Sequence, residues 1–214
     1  MGCTKTFVVN EMQLANSLFQ TVTISTQAFE RLHLAFMRCP HARAIVLILD
    51  KPGSHLLYLQ NSLRESRIAP VLFLCDNKTE DDFAKAVTSI IHWLKTLPGF
   101  GELPLGIYAR HENAEAAIKA CSQDDVDALV VENAKRLSKN HNLKKVKTPT
   151  LLIAEGSEKE TTTFSEYFVG EKHFHFVPEP TTKSLAGVPR TTSLTRNWFE
   201  YHLTQSPIGQ ASGT

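Results

Sequence analysis

The chain has 214 residues, of which 42% are hydrophobic and 21% charged, the size and make-up of one ordinary soluble domain or at most two small ones. Lys and Arg number 23 against 22 Asp and Glu, a formal net charge of +1, so no global field would draw the protein onto nucleic acid or an anionic membrane. No stretch approaches the ~18–20 apolar residues of a membrane-spanning helix, and residues 1–30 lack the three regions of a secretory signal; a cytoplasmic protein with no transmembrane segment is expected.

In chain order, Met1-Gly2-Cys3-Thr4-Lys5-Thr6 fits the myristoylation pattern M-G-x-x-x-[ST], with Cys3 placed for a second acyl chain. The match is short, and an unmodified terminus is the expectation. Thr21–Ser25 (TVTIS) and Arg31–Arg38 (RLHLAFMR) alternate apolar and polar residues, as half-buried strands of an antiparallel pair do. The pattern then changes to short continuous apolar runs: Ala44–Leu49, Pro70–Cys75, Leu103–Tyr108, Ala128–Val131 and Pro149–Ala154. Such runs are expected of strands buried on both faces of a parallel sheet. Helical stretches separate them, over 55–66, 80–97, 112–122 and, more weakly, 133–146. In the second, Phe83, Val87, Ile90, Ile91 and Leu94 recur at helical spacing, and Glu80, Asp81 and Asp82 fill the first turn, where the helix dipole favours anions. A last strand over His173–Val177 precedes a Pro- and Thr-rich loop, and Leu194–Leu203 reads as a closing helix. Residues 1–204 are expected to form one α/β domain with a mostly parallel sheet and helices on both faces, and residues 205–214 a flexible tail. The four cysteines, Cys3, Cys39, Cys75 and Cys121, are too scattered for a zinc knuckle or a disulfide framework.

Four segments carry a family likeness. Leu105–Ile118 (LGIYARHENAEAAI) runs a strand into an Ala-rich helix, Val146–Glu158 (VKTPTLLIAEGSE) is a strand followed by an acidic loop, Val177–Thr182 is VPEPTT, and Asn197–Leu203 is NWFEYHL. From about Thr21 to Leu203 their order resembles an α/β-hydrolase, specifically the small dienelactone-hydrolase-like branch without a lid domain. The resemblance implies a three-layer sandwich and a G-x-S-x-G nucleophile elbow, whose glycines permit a sharp strand-to-helix turn. Those five positions here are Ala109, Arg110, His111, Glu112 and Asn113. His111 stands at the nucleophile position, neither glycine survives, and a turn built from bulky residues is expected to be wider than the strained elbow. The acid position aligns with Glu158. The base position falls at or near Thr182, and no His lies between His175 and His202. The oxyanion loop's His-Gly aligns with Asp50 and Lys51, where backbone N–H groups would have an anionic Asp50 beside them and a proline, Pro52, which lacks an N–H, two residues on.

Loss of nucleophile, base and oxyanion loop together leads to the expectation of a protein that is not an enzyme: a pseudoenzyme retained as an adaptor, chaperone-like or scaffolding subunit of a protein complex, such as a secretion-system accessory subunit. The alternatives are a serine or cysteine hydrolase using displaced residues such as Ser157, Cys75 or His111 with Glu158, and a small-molecule receptor using the old pocket. Other features have plainer readings. His173 and His175 could hold a metal with Glu171, but read better as the outer face of an edge strand whose Phe174 and Phe176 face inward. Cys75-Asp76 ends a strand but reads as a buried thiol. His111 and Glu112 are adjacent and do not face each other. The basic run Lys135, Arg136, Lys139, Lys144, Lys145 and Lys147 reads as a solvated face, and Trp198, Phe199, Tyr201 and Leu203 as chiefly core. Neither G-x-G-x-x-G, nor a P-loop, nor H-E-x-x-H occurs, so no cofactor or metal is expected.

Overall fold

The structure, a computed structural model, describes residues 8–12, 19–26, 29, 31–74, 80–134, 146–155, 168–177 and 187–205. Among the described residues nine strands form one sheet in the order β1-β2-β3-β5-β4-β6-β7-β8-β9. They are β1 (Val8–Met12), β2 (Phe19–Ser25), β3 (Leu32–Met37), β4 (Ala44–Leu49), β5 (Ile68–Leu74), β6 (Leu105–Arg110), β7 (Ala128–Glu132), β8 (Thr150–Glu155) and β9 (Lys172–Val177). The first three run antiparallel to their neighbours and the last six parallel. The strand signals of the sequence fall on β2 to β9. The first strand, VVNEM, had no such signal, because Asn10 and Glu11 interrupt any alternation.

Helices α1 (Ser54–Glu65), α2 (Glu80–Thr96), α3 (Ala114–Cys121) and α4 (Gly187–Phe199) cover the sheet, and α4 widens into a π-helical turn over Glu200–Thr204. β4 shows why the central strands read as unbroken apolar runs. All six of its residues are buried: Ile45, Leu47 and Leu49 pack with α2 and α3, whereas Ala44, Val46 and Ile48 pack with α1 and α4. Two helix layers thus enclose a core on each side of the sheet.

Three expectations are corrected. β6 lies two residues later than its apolar run, over 105–110 instead of 103–108. Pro104 has no N–H for the ladder, and only its carbonyl is used, accepting from Ile45 N at 2.9 Å. On β9 the faces are reversed: Phe174 is 37% exposed, and the His173 ring lies 5.3 Å from that of Trp198 on α4. The His173 ring is tilted 59° to the Trp198 indole, and His175, two residues on, shares the side facing α4. In the closing helix Phe199 and Leu203 are buried as expected, Trp198 is half-buried, and Tyr201 is 61% exposed. Tyr201 falls between the buried Phe199 and Leu203 and so lies on the outer side of the helical turn. The predicted helix over 133–146 falls mostly outside the described residues, as do the lipidation signal, Cys75-Asp76, the tail over 206–214 and all of the basic run but the exposed Lys147.

Candidate functional site

The carboxyl ends of β6 and β7 adjoin a small, partly open cleft lined by His55, Leu59, Tyr108, Arg110, Glu132, Thr191, Thr192 and Thr195. Its wall follows from strand register. Tyr108 and Arg110 are two residues apart on β6 and point to one face, and Arg110 is registered against Glu132 of β7. The buried Tyr108 hydroxyl donates to Glu132 Oε2 at 2.8 Å, and Arg110 Nε lies 3.4 Å from Glu132 Oε1. Burial pushes the Tyr108 phenol well above its usual range, and the Glu132 carboxylate pushes it further. The phenol therefore stays protonated and remains the donor.

A second pair comes from the loop after β4. Asp50 accepts from Lys51 N at 2.7 Å and from His55 Nε2 at 2.9 Å. The Asp50 side chain is 7% exposed and that of His55 28%, so a nearly buried carboxylate orients an imidazole that reaches the cleft. Gly53 makes room for it: a Cβ there would come within 3.0 Å of the imidazole Cε1 and Nδ1. The Lys51 N–H is taken up by the Asp50 side chain, and Pro52 has none to offer.

His111 follows β6 directly and opens a single 3₁₀ turn (His111–Asn113) before α3. Its φ is +53°. The expectation of a wider turn is thereby corrected: the left-handed backbone of a sharp strand-to-helix turn is kept without glycines. The His111 Nδ1 lies 3.3 Å from the Asn133 carbonyl oxygen, and Asn133 is itself left-handed, at φ +49°. Two contacts tie this turn to the loop bearing Asp50: Asn113 Nδ2 donates to Leu49 O at 3.0 Å, and Lys51 Nζ meets Glu112 Oε1 at 3.2 Å. Adjacent residues His111 and Glu112 thus face different partners.

Of the five positions singled out from the sequence, His111, Asp50 and Lys51 come together at the ends of β4 and β6, whereas Glu158 and Thr182 lie outside the described residues, as does Ser157. Sequence reasoning missed His55, Tyr108 and Glu132. The available signals were an Asp and a His five apart across a strand end and a helix start, and apolar runs ending in Arg110 and Glu132 on neighbouring strands. Among the described residues no group of three or more His, Cys, Asp or Glu side chains is arranged to hold a metal, and no helix is long and apolar enough to cross a membrane.

The fold has many relatives among solved structures. A dienelactone hydrolase from Anabaena variabilis superimposes with a TM-score of 0.69 at 17% identity, covering 93% of this chain and 99% of its own. A cold-adapted esterase from an Arctic intertidal metagenomic library gives 0.71 at 8% identity, covering 92% and 99%. A lidless α/β serine hydrolase from Xanthomonas campestris gives 0.69 at 12% identity, covering 92% and 100%. No protein-family model matches the chain, and no curated protein matches its sequence. The chain therefore has the α/β-hydrolase fold, the class that the segment resemblance implied. The expectation that it is not an enzyme is overturned, because the similar structures are hydrolases and esterases. None of these findings supports an adaptor or scaffolding role.

Proposed function

We propose that this chain is a hydrolase of carboxylic esters that works from the Asp50–His55 pair in place of a Ser-His-acid triad. The observation carrying this reading is the 2.9 Å bond between His55 Nε2 and Asp50 Oδ2 in the wall of the cleft. A carboxylate only accepts, so it holds the proton on Nε2 and leaves Nδ1 as the basic nitrogen. When Nδ1 takes a proton from water, the nearly buried Asp50 stabilises the imidazolium that forms. Arg110 in the same wall supplies positive charge for a carbonyl oxygen that becomes anionic. That the similar structures are a dienelactone hydrolase, an esterase and a serine hydrolase agrees with this chemistry.

The test is turnover of p-nitrophenyl acetate by the purified full chain. His55→Gln and Asp50→Asn should each lower kcat by on the order of 10²–10⁴-fold, the range for removal of a general base, with the fold retained by far-ultraviolet circular dichroism. Wild-type turnover no faster than with an inert protein refutes the reading.

A further inference from the structure

We infer that His111 is a nitrogen nucleophile, carrying the acyl group of the ester as a covalent acyl-imidazole before water releases it. The inference rests on the hydrolase reading and adds to it the atom that attacks.

Two independent observations support it. The first is position. His111 is the residue at which β6 breaks into a helical turn, with φ +53°, a backbone state that costs of order 1–3 kcal/mol for a residue with a side chain and is kept where surrounding structure enforces it. Neighbouring Arg110 lines the cleft that His55 also lines. The turn is tied to the Asp50 loop by the Asn113–Leu49 and Lys51–Glu112 contacts.

The second observation is the tautomer. The partner of His111 Nδ1 is a backbone carbonyl, which has no proton to give. Nδ1 must therefore carry the hydrogen, and the in-plane lone pair of the neutral ring lies on Nε2. The imidazole is held by one nitrogen with the other presented as a nucleophile. The Asn133 carbonyl is fixed in turn, because Asn133 N donates to Ile153 O at 2.8 Å and its φ is +49°.

The chemistry balances with groups at hand. His111 Nε2 attacks the carbonyl carbon of an aryl ester, forming a C–N bond, and the tetrahedral oxyanion collapses with cleavage of the C–O bond to the leaving group. The product is an acyl-imidazolium, whose Nδ1–H remains on the Asn133 carbonyl, and a phenolate, a base weak enough to leave without a proton. Water then adds to the acyl carbon as His55 Nδ1 takes its proton. The C–N bond breaks, its electron pair returns to His111 Nε2, the acid is released, and the proton on His55 passes to the phenolate. The sum is aryl ester plus water to acid plus phenol, with no co-reactant. His111 and His55 thus divide attack from acyl release.

The experiment uses p-nitrophenyl trimethylacetate, whose hindered acyl group slows attack by water. Wild type should release a burst of p-nitrophenolate equal to the protein concentration, and native mass spectrometry at neutral pH should find one trimethylacetyl group per chain, on His111. His111→Gly relieves the left-handed backbone strain and so keeps the fold. It should abolish burst and adduct and slow turnover by about 10²-fold or more, and free imidazole should restore turnover. His55→Gln should keep the burst and slow the steady state that follows it. His111→Gly with wild-type turnover, or an adduct on another residue, overturns the inference and leaves the hydrolase reading standing. A wild-type protein with neither burst nor turnover on any ester overturns both.

Discussion

Replacing Tyr108 by Phe isolates the polar network in the cleft wall. The ring keeps its volume and its place in a core where Tyr108 is only 2% exposed, so no cavity opens and the loss is electrostatic. What disappears is the 2.8 Å hydrogen bond to the Glu132 carboxylate, which is itself buried, with Arg110 Nε as its other neighbour at 3.4 Å. A hydrogen bond to a charged group contributes about 1.5–3 kcal/mol, which in a domain of this size lowers the thermal midpoint by roughly 3–12 °C. The substitution should also change the alkaline limb. The folded-state phenol titrates above its unfolded value, so its contribution is fully present below about pH 10 and is lost as pH rises through the folded value. Tyr108→Phe should therefore lose less stability than wild type between pH 9 and 11, roughly the span around a phenol's ordinary value. Thermal melts followed by far-ultraviolet circular dichroism at several pH values measure both effects. A variant within about 0.5 kcal/mol of wild type at neutral pH, or with the same alkaline slope, would refute the claim that this bond holds the wall.

Gly106→Ala should destabilise the protein by about 1–3 kcal/mol through overpacking: the added Cβ would lie 2.7 Å from Phe199 Cε1 and 3.0 Å from Leu203 Cδ1, and urea denaturation reads the loss. Phe199→Ala should cost roughly 3–5 kcal/mol, whereas Tyr201→Ala, two residues on but 61% exposed, should stay within about 0.5 kcal/mol; equal effects would contradict the assigned faces. His202 has its pKa lowered, first by burial. Its contribution is thus present above the unfolded value of about 6.5 and lost as pH falls through and below it, so His202→Gln should flatten the fall in thermal midpoint between about pH 7 and 5. Lys51→Ala should leave stability nearly unchanged, since the Lys51–Glu112 pair is 82% and 55% exposed.

Much of the fold was legible because burial on both faces of a parallel sheet leaves a mark in the chain itself. The runs AIVLIL and ALVV can satisfy two apolar layers only as central strands, and the amphipathic spacing of Phe83, Val87, Ile90, Ile91 and Leu94 can serve only one. These are local patterns, and sheet and helix follow from them. The turn after β6 was also legible, because a strand running straight into an Ala-rich helix places His111 there whatever its side chain. The conformation of that residue was not. Its left-handed backbone costs energy that no local preference of Arg110, His111 or Glu112 offsets, and it is held by contacts with Leu49, Lys51 and Asn133, all distant in sequence.

The sequence by itself determined the order of strands β2 to β9 and of helices α1 to α4, the two apolar faces of the sheet and the place where β6 turns. Tertiary structure alone decided that Glu132 lies under the Tyr108 hydroxyl, that the imidazole of His55 is held by Asp50 in the same cleft, and that His173 instead of Phe174 faces α4. The physical reason is range. Hydrophobic periodicity is written within one element, whereas a hydrogen bond between side chains of different elements depends on strand register and helix placement, which are set only when the whole sheet closes on its two layers.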